Sequence, residues 1–255
     1  MVNGLVKWSE FFRNFSDKYI LIGGAACHLL EDEYGQEPRA TKDLDLVLIV
    51  EALSTDFVRT LWQFIKEGGY ENRQRGENKK KHEFYRFSKP SDSSYPKQLE
   101  LFARKYGVIE LPNNAHLEPI PVGEDVSSLS AILMDDDYYN FTITHSNTLG
   151  DVHIANPEAL ICLKAKAYLE MTARKADGGN VDADDIEKHK KDIFRLAIML
   201  PADTVITLPE RLHEDLTKFV SIMDILPNAD YLKSAGLSTF TAERILEQLK
   251  KNFII

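Results

Sequence analysis

Asp43 and Asp45 stand at alternate positions of Asp43-Leu44-Asp45-Leu46-Val47-Leu48, an apolar run that reads as a strand extending to about Val50. Side chains alternate faces along a strand, so the two carboxylates project together while Leu44, Leu46 and Leu48 turn into a core. Like charges a few ångströms apart each disfavour ionisation of the other, and a divalent cation removes the conflict. Magnesium is the natural occupant of such an oxygen pair, with manganese as the alternative.

Upstream, Tyr19-Ile20-Leu21-Ile22 is a short apolar run stopped by Gly23-Gly24, and Ala25 to Leu30 then has helix-forming composition. The pattern predicts a strand, a tight turn and a helix. Glycines at such a turn let the backbone approach a ligand closely, and the N–H groups of the following helix attract phosphate. A nucleoside triphosphate would bridge the two sites, with its β- and γ-phosphates at Gly23 and Gly24.

The remaining elements must position these groups. Trp8, Phe11, Phe12 and Phe15 fall at helical spacing and predict an amphipathic helix laid on a core. Ser54 caps a second helix with the stripe Val58, Leu61, Trp62 and Ile65, which Gly68-Gly69 ends before a strand near Tyr70. His82 to Phe87 and Gln98 to Ala103 read as strands of a long hairpin around the turn-rich Ser88 to Pro96. Prolines punctuate Pro112 to Pro121, and strand-like pieces follow at Ala131 to Leu133, Phe141 to Thr144 and Val152 to Ile154. Asn156-Pro157 signals a helix start, and helical periodicity continues beyond it with breaks near Gly178-Gly179 and Pro201.

The expected architecture is α+β: a small mixed β-sheet with flanking helices over residues 1–118, a β-rich connector over 119–155 and an α-helical domain over 156–255. The active cleft is expected between the first domain and the last.

Composition narrows the chemistry. A net charge of −9 argues against broad nucleic-acid binding and leaves room for one local basic surface. Arg73, Arg75, Lys79, Lys80 and Lys81 form the one dense basic segment, which reads as a solvated hairpin more readily than as a guide for a triphosphate or an RNA end. Cys27 and Cys162 are the only cysteines, so neither a disulfide framework nor a zinc cluster is implied. No apolar run is long enough to span a bilayer and no secretory signal opens the chain, so cytoplasmic residence and no membrane partner are expected. Metal-binding histidine spacings, a P-loop and a Gly-x-Ser-x-Gly nucleophile are missing. Asp135-Asp136-Asp137 reads as a plain loop.

At this point the sequence resembles a known family. Gly23-Gly24 followed by Arg39-Ala40-Thr41-Lys42-Asp43-Leu44-Asp45-Leu46 is similar to the minimal, DNA-polymerase-β-like nucleotidyltransferases, in particular the AbiEii and MenT toxin group. Pro157 to Ala165 and Lys191-Asp192-Ile193 match that group's later lysine and Lys/Arg-Asp motifs, so the marks span most of the chain. The resemblance implies that Asp43 and Asp45 hold the metal, that Gly23, Gly24, Arg39, Thr41 and Lys164 bind nucleotide, and that Asp192 supports catalysis.

Lys164 lies on the stripe of Leu160, Ile161, Tyr168 and Met171, a face expected to pack inward toward the first domain. Lys166 is the alternative, with Glu170 at i+4 offering an ordinary surface pair. Asp192 sits at the edge of the stripe of Ile186, Ile193, Ala197 and Leu200, where a salt-bridge role competes with a catalytic one. Polymerase-β-like sites commonly take a third carboxylate from a neighbouring strand. Glu100 is the candidate, Glu83 the competitor, and in the toxin group the position is often absent.

The expected function is transfer of a nucleoside monophosphate from an NTP to an acceptor hydroxyl. As a toxin-type enzyme the protein would act on tRNA or protein and be restrained by an antitoxin partner. Two alternatives stand beside it: a catalytically silent nucleotide-binding module, and transfer to a small molecule.

Overall fold

The computed structural model describes residues 2–72, 86–105, 117–120, 129–224 and 227–255. The basic segment from Arg73 to Lys81 and the carboxylate of Glu83 lie outside the described residues. The chain divides into two compact units, residues 1–28 with 39–155 and residues 29–38 with 156–255.

The first unit is mixed α/β. Its elements are α1 (Leu5–Phe12), β1 (Tyr19–Ile22), the start of α2 (Gly23–Glu33), β2 (Asp43–Leu48), α3 (Thr55–Glu67), β3 (Glu71–Asn72), β4 (Arg86–Ser88), β5 (Gln98–Arg104), β6 (Leu117–Ile120), β7 (Leu129–Met134), α4 (Asp136–Thr144), β8 (Ser146–Leu149) and β9 (Val152–Ala155). The strands build one mixed sheet in the order β3-β4-β5-β2-β1-β9-β8, with β7 also paired to β5 and β6 to β7. β2 lies antiparallel to β1 and parallel to β5.

Over the first half of β2 burial follows the alternation that the sequence predicts, and beyond Asp45 it becomes continuous, with Val47 buried too. Leu44, Leu46 and Leu48 are wholly buried, whereas Asp43 is exposed and Asp45 partly so. Trp8 and Phe12 of α1 stack at 3.8 Å between ring centroids and meet Phe64 of α3 at 5.4 and 5.6 Å. This aromatic cluster seats both helices in the core and leaves the carboxylates of β2 outside it. Helix α1 ends at Phe12, and Phe15, expected on the same helical stripe, continues in a 3-10 turn over Arg13–Lys18. Ser54 caps α3 by accepting from the Phe57 amide at 3.2 Å.

Three expectations are corrected. Phe141 to Thr144 is the end of helix α4, not a strand, and Asp135-Asp136-Asp137 opens that helix rather than forming a loop. The Asp135 carboxylate accepts from the Asp137 amide at 3.0 Å, and two further aspartates in the first turn favour the positive end of the helix dipole. The stretch read as a connector supplies strands to the main sheet: β9 pairs parallel with β1, β8 pairs with β9, and β7 pairs with β5.

Beyond β2, Glu51 ties strands to helix. Its carboxylate accepts from Arg104 Nε at 2.6 Å and from the Tyr139 hydroxyl at 2.7 Å, while Tyr139 Oη accepts from the Val50 amide at 2.9 Å.

The second unit is helical: α5 (Pro157–Ala176), α6 (Ala183–Ala197), α7 (Glu210–Ser221), α8 (Ala229–Ser234) and α9 (Ala242–Phe253), with residues 29–38 packed among them. Pro157 occupies the first turn of α5 as expected, but Asn156 makes no side-chain cap bond. Buried Arg195 of α6 holds residues 29–38 through Glu31 Oε1 at 2.6 Å and the Glu37 carbonyl at 2.6 Å. No described helix is long and apolar enough to cross a membrane.

Candidate active site

The site grows from the junction of β1 and α2. Ile22, the last residue of β1, is the cross-strand partner of Asp45, so the chain turns into α2 directly beside that carboxylate. Gly23 makes the turn with φ +67°, a left-handed conformation that a side chain disfavours. It also has no room for one: a methyl carbon at Gly23 would lie 1.9 Å from Asp45 Oδ2. The carboxylate therefore occupies the space left by the missing Cβ.

Gly24 repeats the arrangement with the other half of the motif. A methyl carbon there would lie 2.9 Å from Thr41 Oγ1 and 3.6 Å from a guanidinium nitrogen of Arg39. Gly23, Gly24, Arg39, Thr41 and Asp45 thus converge on the first turn of α2, where helical N–H groups have no intrahelical acceptor. A hydroxyl, a guanidinium and backbone N–H groups at a helix start form a setting suited to phosphate. Asp43 lies two residues before Asp45 on the same face of β2.

One support was not legible in the sequence. Buried His28, on the first turns of α2, has Nδ1 at 3.0 Å from the Arg39 carbonyl. A carbonyl only accepts, so Nδ1 carries the proton and donates, fixing the backbone from which Arg39 projects.

Glu100 sits where the sequence places it and is engaged otherwise. It is the parallel cross-strand partner of Asp45 and the antiparallel partner of Arg86. Its Oε1 pairs with Arg86 Nε and accepts from Gln98 Nε2 at 3.0 Å. Burial raises the Glu100 carboxyl above its ordinary value, the Arg86 charge and hydrogen bond oppose that, and the negative charge of Asp43 adds to it. Among the described residues, no three histidine, cysteine, aspartate or glutamate side chains converge as a cation-holding group. The donor set that fits magnesium is the pair Asp43 and Asp45, which offers hard carboxylate oxygens on one face.

Lys164 and Asp192 lie in the second unit and meet each other. Lys164 Nζ donates to Asp192 Oδ2 at 2.7 Å, and the side chains are only 6% and 1% exposed. Lys166, more exposed, pairs with Glu170 at 3.3 Å as its spacing predicts.

No protein-family model matches the chain, and no curated protein or solved structure matches it either.

Proposed function

We propose that the protein is a magnesium-dependent nucleotidyltransferase with the minimal polymerase-β-like fold, moving a nucleoside monophosphate from an NTP to an acceptor hydroxyl. The observation that carries this reading is the packing of Asp45 on Gly23, with Thr41 and Arg39 on Gly24, at the start of one helix. A carboxylate pair and a phosphate-binding turn then share one small volume.

In the reaction the acceptor oxygen bonds to the α-phosphorus, and the bond from that phosphorus to the oxygen bridging toward the β-phosphate breaks. Pyrophosphate leaves with the electron pair and the hydroxyl proton passes to solvent. The first-turn amides of α2, Thr41 and Arg39 hold the phosphate tail, and His28 keeps the Arg39 backbone in place. Asp43 and Asp45 would hold magnesium, which supplies positive charge where negative charge develops. The toxin-type resemblance extends the proposal to tRNA or protein as acceptor and to an antitoxin as partner.

The test is incubation with each α-labelled NTP, magnesium, and total cellular RNA or protein. Label is expected in one macromolecular fraction and is lost with Asp45→Ala. An Asp45→Ala protein with undiminished transfer would overturn the assignment. The pairing of Glu100 with Arg86 favours a second reading, a nucleotide-binding module without turnover. Calorimetry with NTP and magnesium that shows binding where no label moves would select it.

A further inference from the structure

Strand register builds a row of charge that no single stretch of the chain contains. Asp43 stands opposite Gln98, and Gln98 opposite Ser88. One step further toward that end of the sheet, Lys42, Lys97 and Lys89 therefore form one rung across β2, β5 and β4. Backbone bonds close the rung: the Lys97 amide donates to the Lys42 carbonyl at 2.7 Å, and the Lys89 amide to the Lys97 carbonyl at 3.1 Å. Neighbouring strands lie about 4.8 Å apart, so the three lysines stand in a line about 10 Å long. All three are exposed.

The row is held in place against its own repulsion. Like charges directly opposite one another on adjacent strands are unfavourable, and Lys89 has φ +53°, a conformation that a side chain disfavours. The buried Tyr70 hydroxyl donates to the Pro96 carbonyl at 2.7 Å and fixes the backbone just ahead of Lys97. β2 and β5 are interior strands, so these lysines do not serve to blunt a sheet edge. Nearby carboxylates answer only part of the charge. Glu71 pairs with Lys89 at 3.0 Å, but both side chains are exposed, and a contact so open yields readily to salt or to another anion. Asp43 belongs to the next rung, beside the neutral Gln98 and Ser88.

We propose that Lys42, Lys89 and Lys97 form a seat for the phosphodiester backbone of a single-stranded nucleic acid. A linear polyanion matches a linear row, and a flexible strand can set successive phosphates on three such points. Ammonium groups on long stems meet phosphates as point charges and read no bases. On a chain of net charge −9, attraction of this kind has to be local, and the rung supplies the locality. The inference goes beyond the transfer reaction, since it needs neither the aspartate pair nor a bound nucleotide.

The experiment is fluorescence anisotropy of a short labelled single-stranded RNA with the full chain, over a range of salt concentrations and without NTP or divalent metal. The wild type is expected to bind, with affinity falling as salt rises along a log–log slope of at least about 2. Exchanging Lys42, Lys89 and Lys97 together for Gln should reduce that slope by about 2, at about 0.7 per lysine, and weaken low-salt binding at least about tenfold. The same three positions as Arg keep the charge and should restore the slope. Single-stranded DNA of the same sequence should bind with the same slope, because a backbone seat does not read the 2′-hydroxyl. Lys175→Gln, in the last turn of α5, should change nothing.

A wild type that does not bind, a triple Gln variant with an unchanged slope, an Arg variant that behaves like the Gln one, or an equal loss with Lys175→Gln would each overturn the proposal. Anionic vesicles or poly-glutamate bound more tightly than the RNA would show that the partner class is wrong. If circular dichroism shows the triple Gln variant unfolded, Lys97→Gln alone, with an expected loss of about 0.7 in slope, decides. Label transfer from an NTP is a separate readout. Transfer without strand binding overturns this inference alone, and strand binding without transfer leaves it standing while the transferase reading falls.

Discussion

Lys164 Nζ lies 2.7 Å from Asp192 Oδ2 in the interior of the helical unit, so the two residues expected to serve a nucleotide are first of all each other's counter-ions. Removing one member of a buried pair strands the other charge, at a cost of about 3–5 kcal/mol. Lys164→Met and Asp192→Asn should each lower unfolding free energy by about that amount, measured by guanidinium denaturation. Replacing both, by Met and Leu, should cost far less than the two losses added together. Additive losses would mean that the contact contributes nothing.

Gly23 is predicted to be the least replaceable residue of the motif. At φ +67° an alanine incurs about 1–2 kcal/mol of backbone strain, and its methyl would meet Asp45 Oδ2 at 1.9 Å. Gly23→Ala should lower the melting temperature and reduce transfer at least about a hundredfold, since the carboxylate must move. Gly24→Ala meets the Thr41 hydroxyl at 2.9 Å and Arg39 only at an ordinary contact distance of 3.6 Å, without positive φ, so its effect should be smaller on both measures. Equal effects of the two substitutions would refute the packing described.

The parts of the site that follow from local chemistry were legible in the sequence. The two-residue period of β2 put Asp43 and Asp45 together over buried leucines, and Gly23-Gly24 marked the turn that receives Asp45. What depended on strand register was not. Arg86 meets Glu100 only because the segment between them sets β4 against β5 in one alignment, and no composition signal encodes that. The β-branched and aromatic run Phe141 to Thr144 suggested a strand, yet the cap at Asp135 and the acidic first turn made it a helix. A local end signal outweighed residue propensity. The supposed connector failed as a reading for a further reason: a strand pairs with whatever edge the fold presents, and β9 finds β1 far back in the chain.

Asp43 is exposed at the start of β2, so its loss should touch chemistry and not stability. Asp43→Asn is expected to change unfolding free energy by no more than about 0.5 kcal/mol while abolishing label transfer. Thermal melts beside the transfer assay check both halves. A stable variant that still transfers would remove Asp43 from the metal pair.

Glu51 should give the first unit a measurable acid limit. Burial pushes its carboxyl up, but the Tyr139 hydroxyl, a backbone amide and Arg104 together outweigh that and hold it below its ordinary value of 4.5. A carboxyl with a depressed folded-state value binds protons more readily when unfolded, so stability rises with pH across the interval between the two values. The contribution is full above the unfolded value and is lost as pH falls through the folded one. Glu51→Gln should therefore melt below the wild type by a constant margin above about pH 5.5, and the margin should shrink as pH falls below 4.5. Melting curves of both proteins between about pH 3 and 7 measure it. A margin that stays constant to the acid end would show that the Glu51 charge is not what Tyr139 and Arg104 hold.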